Sequence, residues 1–227
     1  MAKTLTIAFP SKGITDPAFA QALKLLQIQE PFDKYEVNYV AGADSAVARN
    51  LLAEKSVGDY IFFIDDDVLP PLNAIQKLFS HKKDFVSGLY FAKQEPHFPQ
   101  IFTHNKETKE RYDAVYDYPK DELIEVDACG AGCMLINRDI FKKLKQPYFQ
   151  YIPKSEDKPR KGEDFFFCEK VKKAGFKIYC DTSVICRHIG TKYIGPDHWE
   201  ISKMRIEELK KQMGDKKFKE FKRKFYD

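Results

Sequence analysis

The sequence predicts an α/β fold: a mostly parallel sheet flanked by helices, with an inserted β-hairpin or flap and basic helices at the C-terminus. Three observations carry that prediction. Apolar stretches of strand length alternate with stretches of helical spacing through the first ninety residues, the pattern of a sheet covered on both faces. Tyr60 to Ile64 is continuously apolar and rich in aromatic and β-branched residues, as a buried central strand is. The 227 residues, 43% of them hydrophobic and 14% aromatic, suffice for one substantial core.

The elements follow in order. Thr4 to Phe9 reads as a first strand, stopped by Pro10-Ser11-Lys12-Gly13. Asp16 caps a helix with Pro17 at its first position, and Phe19, Leu23 and Leu26 keep helical spacing. Tyr35 to Val40 alternates as a second strand. Ser45 is the predicted cap of a helix carrying Val47, Leu51 and Leu52, which leads to the strand at Tyr60. A short helix over Leu72 to Phe79 and a strand over Asp84 to Phe91 come next. Gln100 to Tyr118 alternates around a polar turn, His104 to Glu110, as a hairpin or flap does. Ile124 to Ile136 is a strand region interrupted by Gly130 and Gly132, which marks either a ligand or a bulky neighbour approaching closely. Gln146 to Gly162 lacks apolar periodicity and holds Lys154, Lys158, Arg160 and Lys161, as a lid over an anionic ligand would. Glu163 to Ala174 is a helix ended by Gly175, followed by strands at Phe176 to Cys180 and Val184 to Arg187. Two basic helices, Asp197 to Met213 and Lys216 to Tyr226, close the chain, so the expected division is a domain over 1–196 and an extension over 197–227.

Charge and cysteine content narrow the classes. Residues 201–227 hold ten Lys/Arg against five Asp/Glu, a net +5, within a chain of net +4. A neutral body argues against a broad nucleic-acid-binding face, while the tail suits an anionic surface. Five cysteines without a CxxC pair read as reduced core thiols of a cytoplasmic protein, and not as a zinc cluster. No apolar run is long enough to span a membrane, and the first ten residues lack signal-peptide order.

The chemistry concentrates at Asp65-Asp66-Asp67, directly after the apolar strand. Alternation puts Asp65 and Asp67 on one side and Asp66 on the other. Two carboxylates converging at the carboxyl end of a buried strand repel one another unless a cation lies between them, and a hard divalent ion is the usual solution. Glu163 and Asp164 open a helix, where the dipole lowers a carboxylate's pKa and burial raises it. Arg49 lies on the helix preceding the acidic strand, and His188 ends a late strand before Gly190.

Together these pieces resemble nucleotide-sugar glycosyltransferases of the GT-A fold, closest to glycosyltransferase family 2. The matching pieces run from Thr4 to Gly190: a first strand with a Pro-containing turn, Ala48-Arg49-Asn50, a hydrophobic strand ending in DxD, a Gly-containing strand, the pair Glu163-Asp164, and His188. The resemblance implies transfer of a hexose from a nucleotide-diphosphate sugar to an acceptor hydroxyl with Mn²⁺ or Mg²⁺. It implies that Asp67 binds the metal directly, that Asp65 holds ribose or reaches the metal, and that His188 completes the coordination. Phe9, Pro10 and Ser11 would line the nucleoside pocket, with Arg49 and Asp66 beside the nucleotide. Asp164, with Glu163 next to it, would be the catalytic base. The family's acidic stretch after the second strand is absent, leaving Asp44 in its place, and so is the QxxRW element of processive synthases. The implied acceptor is a glycan, a lipid-linked glycan or a protein, with peripheral contact to anionic membrane through 201–227, and nucleic acid ranks lower. Competing readings are a carbohydrate- or nucleotide-binding protein without activity, a DxD phosphatase, and a sugar nucleotidylyltransferase. Leu69 and the short loop at Pro10 to Gly13 disfavour the last two.

Overall fold

The computed structural model describes residues 2–105, 107, 112–155, 160–190 and 193–226. Its first half alternates as expected: β1 (Lys3–Ser11), α1 (Pro17–Leu25), β2 (Phe32–Ala41), α2 (Ser45–Lys55), β3 (Tyr60–Ile64), β4 (Val68–Leu69), α3 (Ala74–Ser80) and β5 (Phe85–Leu89). The second half holds β6 (Ile101–His104), β7 (Tyr112–Ala114), β8 (Leu123–Val126), β9 (Ala128–Cys129), β10 (Cys133–Asn137), α4 (Asp139–Lys143), α5 (Glu163–Lys173), β11 (Ile178–Ile185), β12 (Arg187–Ile189), β13 (Tyr193–Ile194) and α6 (Pro196–Tyr226). This is the GT-A arrangement, a large central sheet flanked by helices.

The main sheet has the order β2-β1-β3-β10-β5-β11-β8. Strands β1, β2 and β3 are parallel, with Ile7 opposite both Val37 and Phe62. The sheet is mixed further on, because β10 runs antiparallel to both β3 and β5, and β8 antiparallel to β11. From β1 the chain moves outward to β2, then returns through α2 to β3 on the other side of β1. The carboxyl ends of β1 and β3 therefore flank a topological switch point, where open α/β sheets bind ligands.

Alternation along β3 divides the core. Ile61 and Phe63 face the layer of α2, α4 and α5, whereas Phe62 and Ile64 face α1 and α3. All four are fully buried, each contributing roughly 1.5–3 kcal/mol by burial. The five cysteines are buried free thiols, as expected.

Several boundaries move for physical reasons. Asp44, not Ser45, caps α2, its Oδ1 accepting from the Ala46 N–H at 2.9 Å. The predicted hairpin exists as β6 and β7, but β6 also pairs with β9, so the flap is a three-stranded sheet. Residues 106 and 108–111 of its predicted turn lie outside the described residues. Gly130 and Gly132 make room for a bulky neighbour: a Cβ at Gly132 would stand 2.8 Å from Tyr90 Cζ, and one at Gly130 would land on the Tyr90 hydroxyl. Within 146–162, Ile152 and Lys161 exchange backbone hydrogen bonds of 3.0 and 2.9 Å. Lys161 pairs with Glu169, and Lys158 lies outside the described residues.

The predicted break between the C-terminal helices is present at Gly214, whose φ of +74° interrupts α6. The first part of α6 docks through Trp199 and not through Met204. Met204 is 71% exposed, while Trp199 is buried on Tyr116 with ring centroids 5.4 Å apart. Ser202 is buried too, and Ile206 and Leu209 continue that face at helical spacing. Phe218 is buried; the side chains of Phe221 and Phe225 lie outside the described set.

Candidate active site

A cleft of about 670 Å³ opens at the switch point. Pro10, Ser11 and Lys12 at the end of β1 form one wall, Asp44 and Ser45 an edge, and Asp65 to Asp67 the floor. The opposite wall is the segment from Ala92 to Pro96, with His188 beside it. Phe9, expected in the nucleoside pocket, lies below the cleft. Its buried ring packs edge-on against Phe19 and stacks on Tyr39 at 5.5 Å. Alternation along β1 turns it to the core face.

The three aspartates have three environments. Asp65 is paired with Arg49, which reaches across from α2 and is 2% exposed. The same guanidinium pairs with Glu163 at the start of α5. Burial works against the Arg49 charge, but Asp65 and Glu163 more than offset it and raise its pKa above the ordinary value. Asp66 accepts from the Lys12 N–H at 3.3 Å, which ties the acidic turn to the β1 loop. Asp67 is paired with Lys93 and lies 3.3 Å, Oδ1 to Nε2, from His188. Burial raises the pKa of Asp67, yet hydrogen bonds from His188 and Lys93 outweigh it and hold the carboxyl at about 2.

Asp65 and Asp67 are thus paired with different cationic side chains. The protein compensates each carboxylate separately, because an arginine from α2 and a lysine from the β5–β6 connection reach them first. Among the described residues, no three or more His, Cys, Asp or Glu side chains gather as a metal-holding group. The fit of a divalent ion rests instead on the pair Asp67 and His188. The β4–β12 ladder sets His188 opposite Val68 and so beside Asp67. His188 Nδ1 donates to the Phe91 carbonyl at 2.8 Å, which aims Nε2 at Asp67 Oδ1, where an imidazolium donates to the carboxylate and a neutral ring offers a lone pair. The 3.3 Å between the two atoms suits a proton on Nε2 or, with the ring neutral, a metal ion. Neighbouring ligands of an octahedral ion with bonds of about 2.1 Å lie about 3 Å apart, and Mg²⁺ commonly takes only one or two protein ligands beside phosphate oxygens and water. The residues present fit such an ion.

Tyr90 supports the floor. Its hydroxyl accepts from the Gly132 N–H at 3.1 Å and its ring meets His188 edge-on at 5.4 Å. Asn50, next to Arg49, does different work: its Oδ1 accepts from the Tyr148 and Phe149 N–H groups at 2.8 and 3.1 Å, pinning the 146–162 segment to α2.

Glu163 and Asp164 lie behind Asp65, joined to it through Arg49. Burial, and then the neighbouring Glu163 charge, push the Asp164 carboxyl up to about 7, against a hydrogen bond from the Phe165 N–H and the Arg49 charge. Burial prevails over the helix dipole here. Asp164 folds back over Gly162: a Cβ there would lie 2.5 Å from Asp164 Oδ1. Tyr151 stands beside Glu163 and Ser45, its hydroxyl raised to about 12 by burial and by Glu163.

Sequence reasoning missed Lys93 and Tyr90. The first is a lone lysine in a loop, without local pattern. The second reads as an ordinary strand-end tyrosine, and only the paired glycines forty residues later hint at it.

A mixed sheet with an acidic turn at the switch point, a histidine beside its last aspartate and a buried carboxylate pair behind defines a GT-A protein of glycosyltransferase type. The family model described as glycosyl transferase family 2 matches residues 24–145, and the chain belongs to that family. Similar solved structures include A197 from STIV, with a TM-score of 0.59 and 23% identity over 86% of this chain and 91% of that one. Another is GalNAc-T7 with UDP, GalNAc and Mn²⁺, with a TM-score of 0.54 and 13% identity over 83% of this chain and 43% of that one. This chain therefore spans less than half of the GalNAc-T7 structure. No match to a curated protein is found. Among the described residues, no helix is long and apolar enough to cross a membrane.

Proposed function

We propose that the chain transfers a hexose from a nucleotide-diphosphate sugar to an acceptor hydroxyl, one residue per encounter, with a divalent cation at Asp67 and His188. The observation that carries this reading is the Asp67–His188 pair, two ligand atoms 3.3 Å apart with the histidine oriented by its Nδ1 contact to the Phe91 carbonyl. Mn²⁺ or Mg²⁺ bound there supplies Lewis-acid stabilisation of the departing diphosphate. Pro10, Ser11 and Asp44 line the nucleoside end of the cleft, where the second carboxylate oxygen of Asp44 is not used by its cap. Asp65, steadied by Arg49, faces the ribose, and Asp66 fixes the loop that covers it.

Asp164 takes the proton of the acceptor hydroxyl. A carboxyl held near neutrality is well matched to that task, and general base catalysis contributes roughly 10²–10⁴-fold. Glu163 acts through Asp164 and Arg49 as a positioning residue. Residues 1–196 form the transferring unit, and α6 braces it. The acceptor is a glycan, free or carried on lipid or protein. The α6 helix docks on the domain in preference to membrane, with a cytoplasmic site of action.

A panel of nucleotide sugars with Mn²⁺, run with and without pyrophosphate and with EDTA, tests the reading. Release of nucleoside diphosphate that stops in EDTA is expected. Free phosphate, nucleoside triphosphate formed only with pyrophosphate, or no product would point to a phosphatase, a nucleotidylyltransferase or a binder respectively. Full activity in EDTA would remove the metal from the reading.

A further inference from the structure

We propose that Lys93 is an exchanging second cation of the donor site: it pairs with Asp67 and moves to the donor's diphosphate when a divalent ion takes Asp67. This rests on the reading of Asp67 and His188 given above. The two oxygens of Asp67 are divided, Oδ1 toward His188 Nε2 and Oδ2 toward Lys93 Nζ. An ion bound at Asp67 would place two positive charges beside the Lys93 ammonium, which the carboxylate alone cannot neutralise. A nucleoside diphosphate in the same cleft brings the compensating negative charge.

The rest of the loop supports a movable side chain on a fixed backbone. Lys93 is 36% exposed in its side chain and lines the cleft, so its long stem can swing without opening a core. The backbone around it is clamped from behind. Ala92 donates to the Phe98 carbonyl at 3.0 Å, and the His97 N–H donates to Ser202 Oγ at 3.3 Å. His97 Nδ1 donates to the Ala92 carbonyl at 2.9 Å, its ring meets His198 edge-on, and Glu95 pairs with Arg205 at 2.7 Å. Three residues of α6 thereby hold a loop of only six residues. Across the cleft the Lys12 N–H is committed to Asp66, and Arg49 to Asp65 and Glu163. Among the described residues lining the cleft, Lys93 is a cationic side chain paired with the carboxylate that the metal would claim, and Lys12 is the other candidate for the phosphates.

The prediction is a pair of effects with opposite sign. In Lys93→Met, Mn²⁺ titrated alone should bind several-fold more tightly, because a competing cation has left Asp67. UDP or GDP titrated in saturating Mn²⁺ should bind about tenfold more weakly, the worth of one charge-assisted phosphate contact. Lys93→Arg should keep most of the nucleotide affinity, and thermal melting should confirm that both variants fold. Calorimetry reads both affinities without turnover. Weaker Mn²⁺ binding by Lys93→Met, or unchanged nucleotide affinity, would overturn the exchange while leaving the donor site standing. A wild-type protein that binds neither UDP nor GDP in Mn²⁺ would overturn the donor-site reading and this inference with it.

Discussion

His188 Nε2 lies 3.3 Å from Asp67 Oδ1 although 121 positions separate them. The link is a two-residue ladder, Arg187 to Leu69 and His188 to Val68, reinforced by the Ile189 N–H donating to the Asp67 carbonyl at 2.7 Å. If this pair is the metal site, Asp67→Ala and His188→Ala should each weaken Mn²⁺-dependent nucleotide binding by roughly tenfold or more. The double variant should be little worse than either, because the two act as a unit. Additive losses in a double-mutant cycle read by calorimetry would show that they act separately.

Asp164→Asn should leave nucleotide affinity intact and lower turnover by roughly 10²-fold or more. Its carboxyl near 7 also sets pH dependence. Wild-type turnover should rise as pH increases through about 7, as the base form appears. The folded pKa is raised above the unfolded value, so the stability linked to this group is present below about 4 and lost as pH rises to about 7. Melting temperatures at pH 5 and 8 should therefore show Asp164→Asn gaining on wild type at the higher pH.

Asp67 has the opposite linkage. Its folded pKa is depressed to about 2, so its contribution is present above about 4 and fades as pH falls from there toward 2. Asp67→Asn should flatten that part of the acid unfolding profile, measured by far-UV circular dichroism.

Arg49→Met should cost on the order of 3–5 kcal/mol, because it strands the buried Glu163 and half-buried Asp65 carboxylates. Urea unfolding reads the loss. A cost below about 1 kcal/mol would show that the triad is solvent-screened.

Gly130→Ala should destabilise by forcing Tyr90 aside, typically by about 1–3 kcal/mol. Removing the hydroxyl in Tyr90→Phe should recover part of that loss, so the double variant should be more stable than the sum of the single changes. Strict additivity would mean that the glycine serves something other than Tyr90.

Phe218→Ala should cost roughly 3–5 kcal/mol if this buried ring fastens the end of α6. The wild-type protein should then fail to float with anionic liposomes. Flotation lost on deleting 216–227, without loss of thermal stability, would favour a membrane role instead.

What the sequence determined by itself was local. Apolar runs, Pro17, the helix-ending Gly175 and the break at Gly214 located elements, because each acts within a turn or two of chain. The DxD strand, Arg49, Glu163-Asp164 and His188 were legible as chemistry at the ends of those elements. What only the tertiary structure decided was pairing and direction. A buried strand reads as the same apolar run whichever way it points, so the antiparallel entry of β10 between β3 and β5 left no signature. Carboxylates in sequence do not declare their cations, so the capture of Asp65 by Arg49 and of Asp67 by Lys93 emerged only when α2 and the β5–β6 connection were folded around them. Burial is a property of the whole packed molecule, and it settled the opposing pulls on Asp164 in favour of a carboxyl near neutrality.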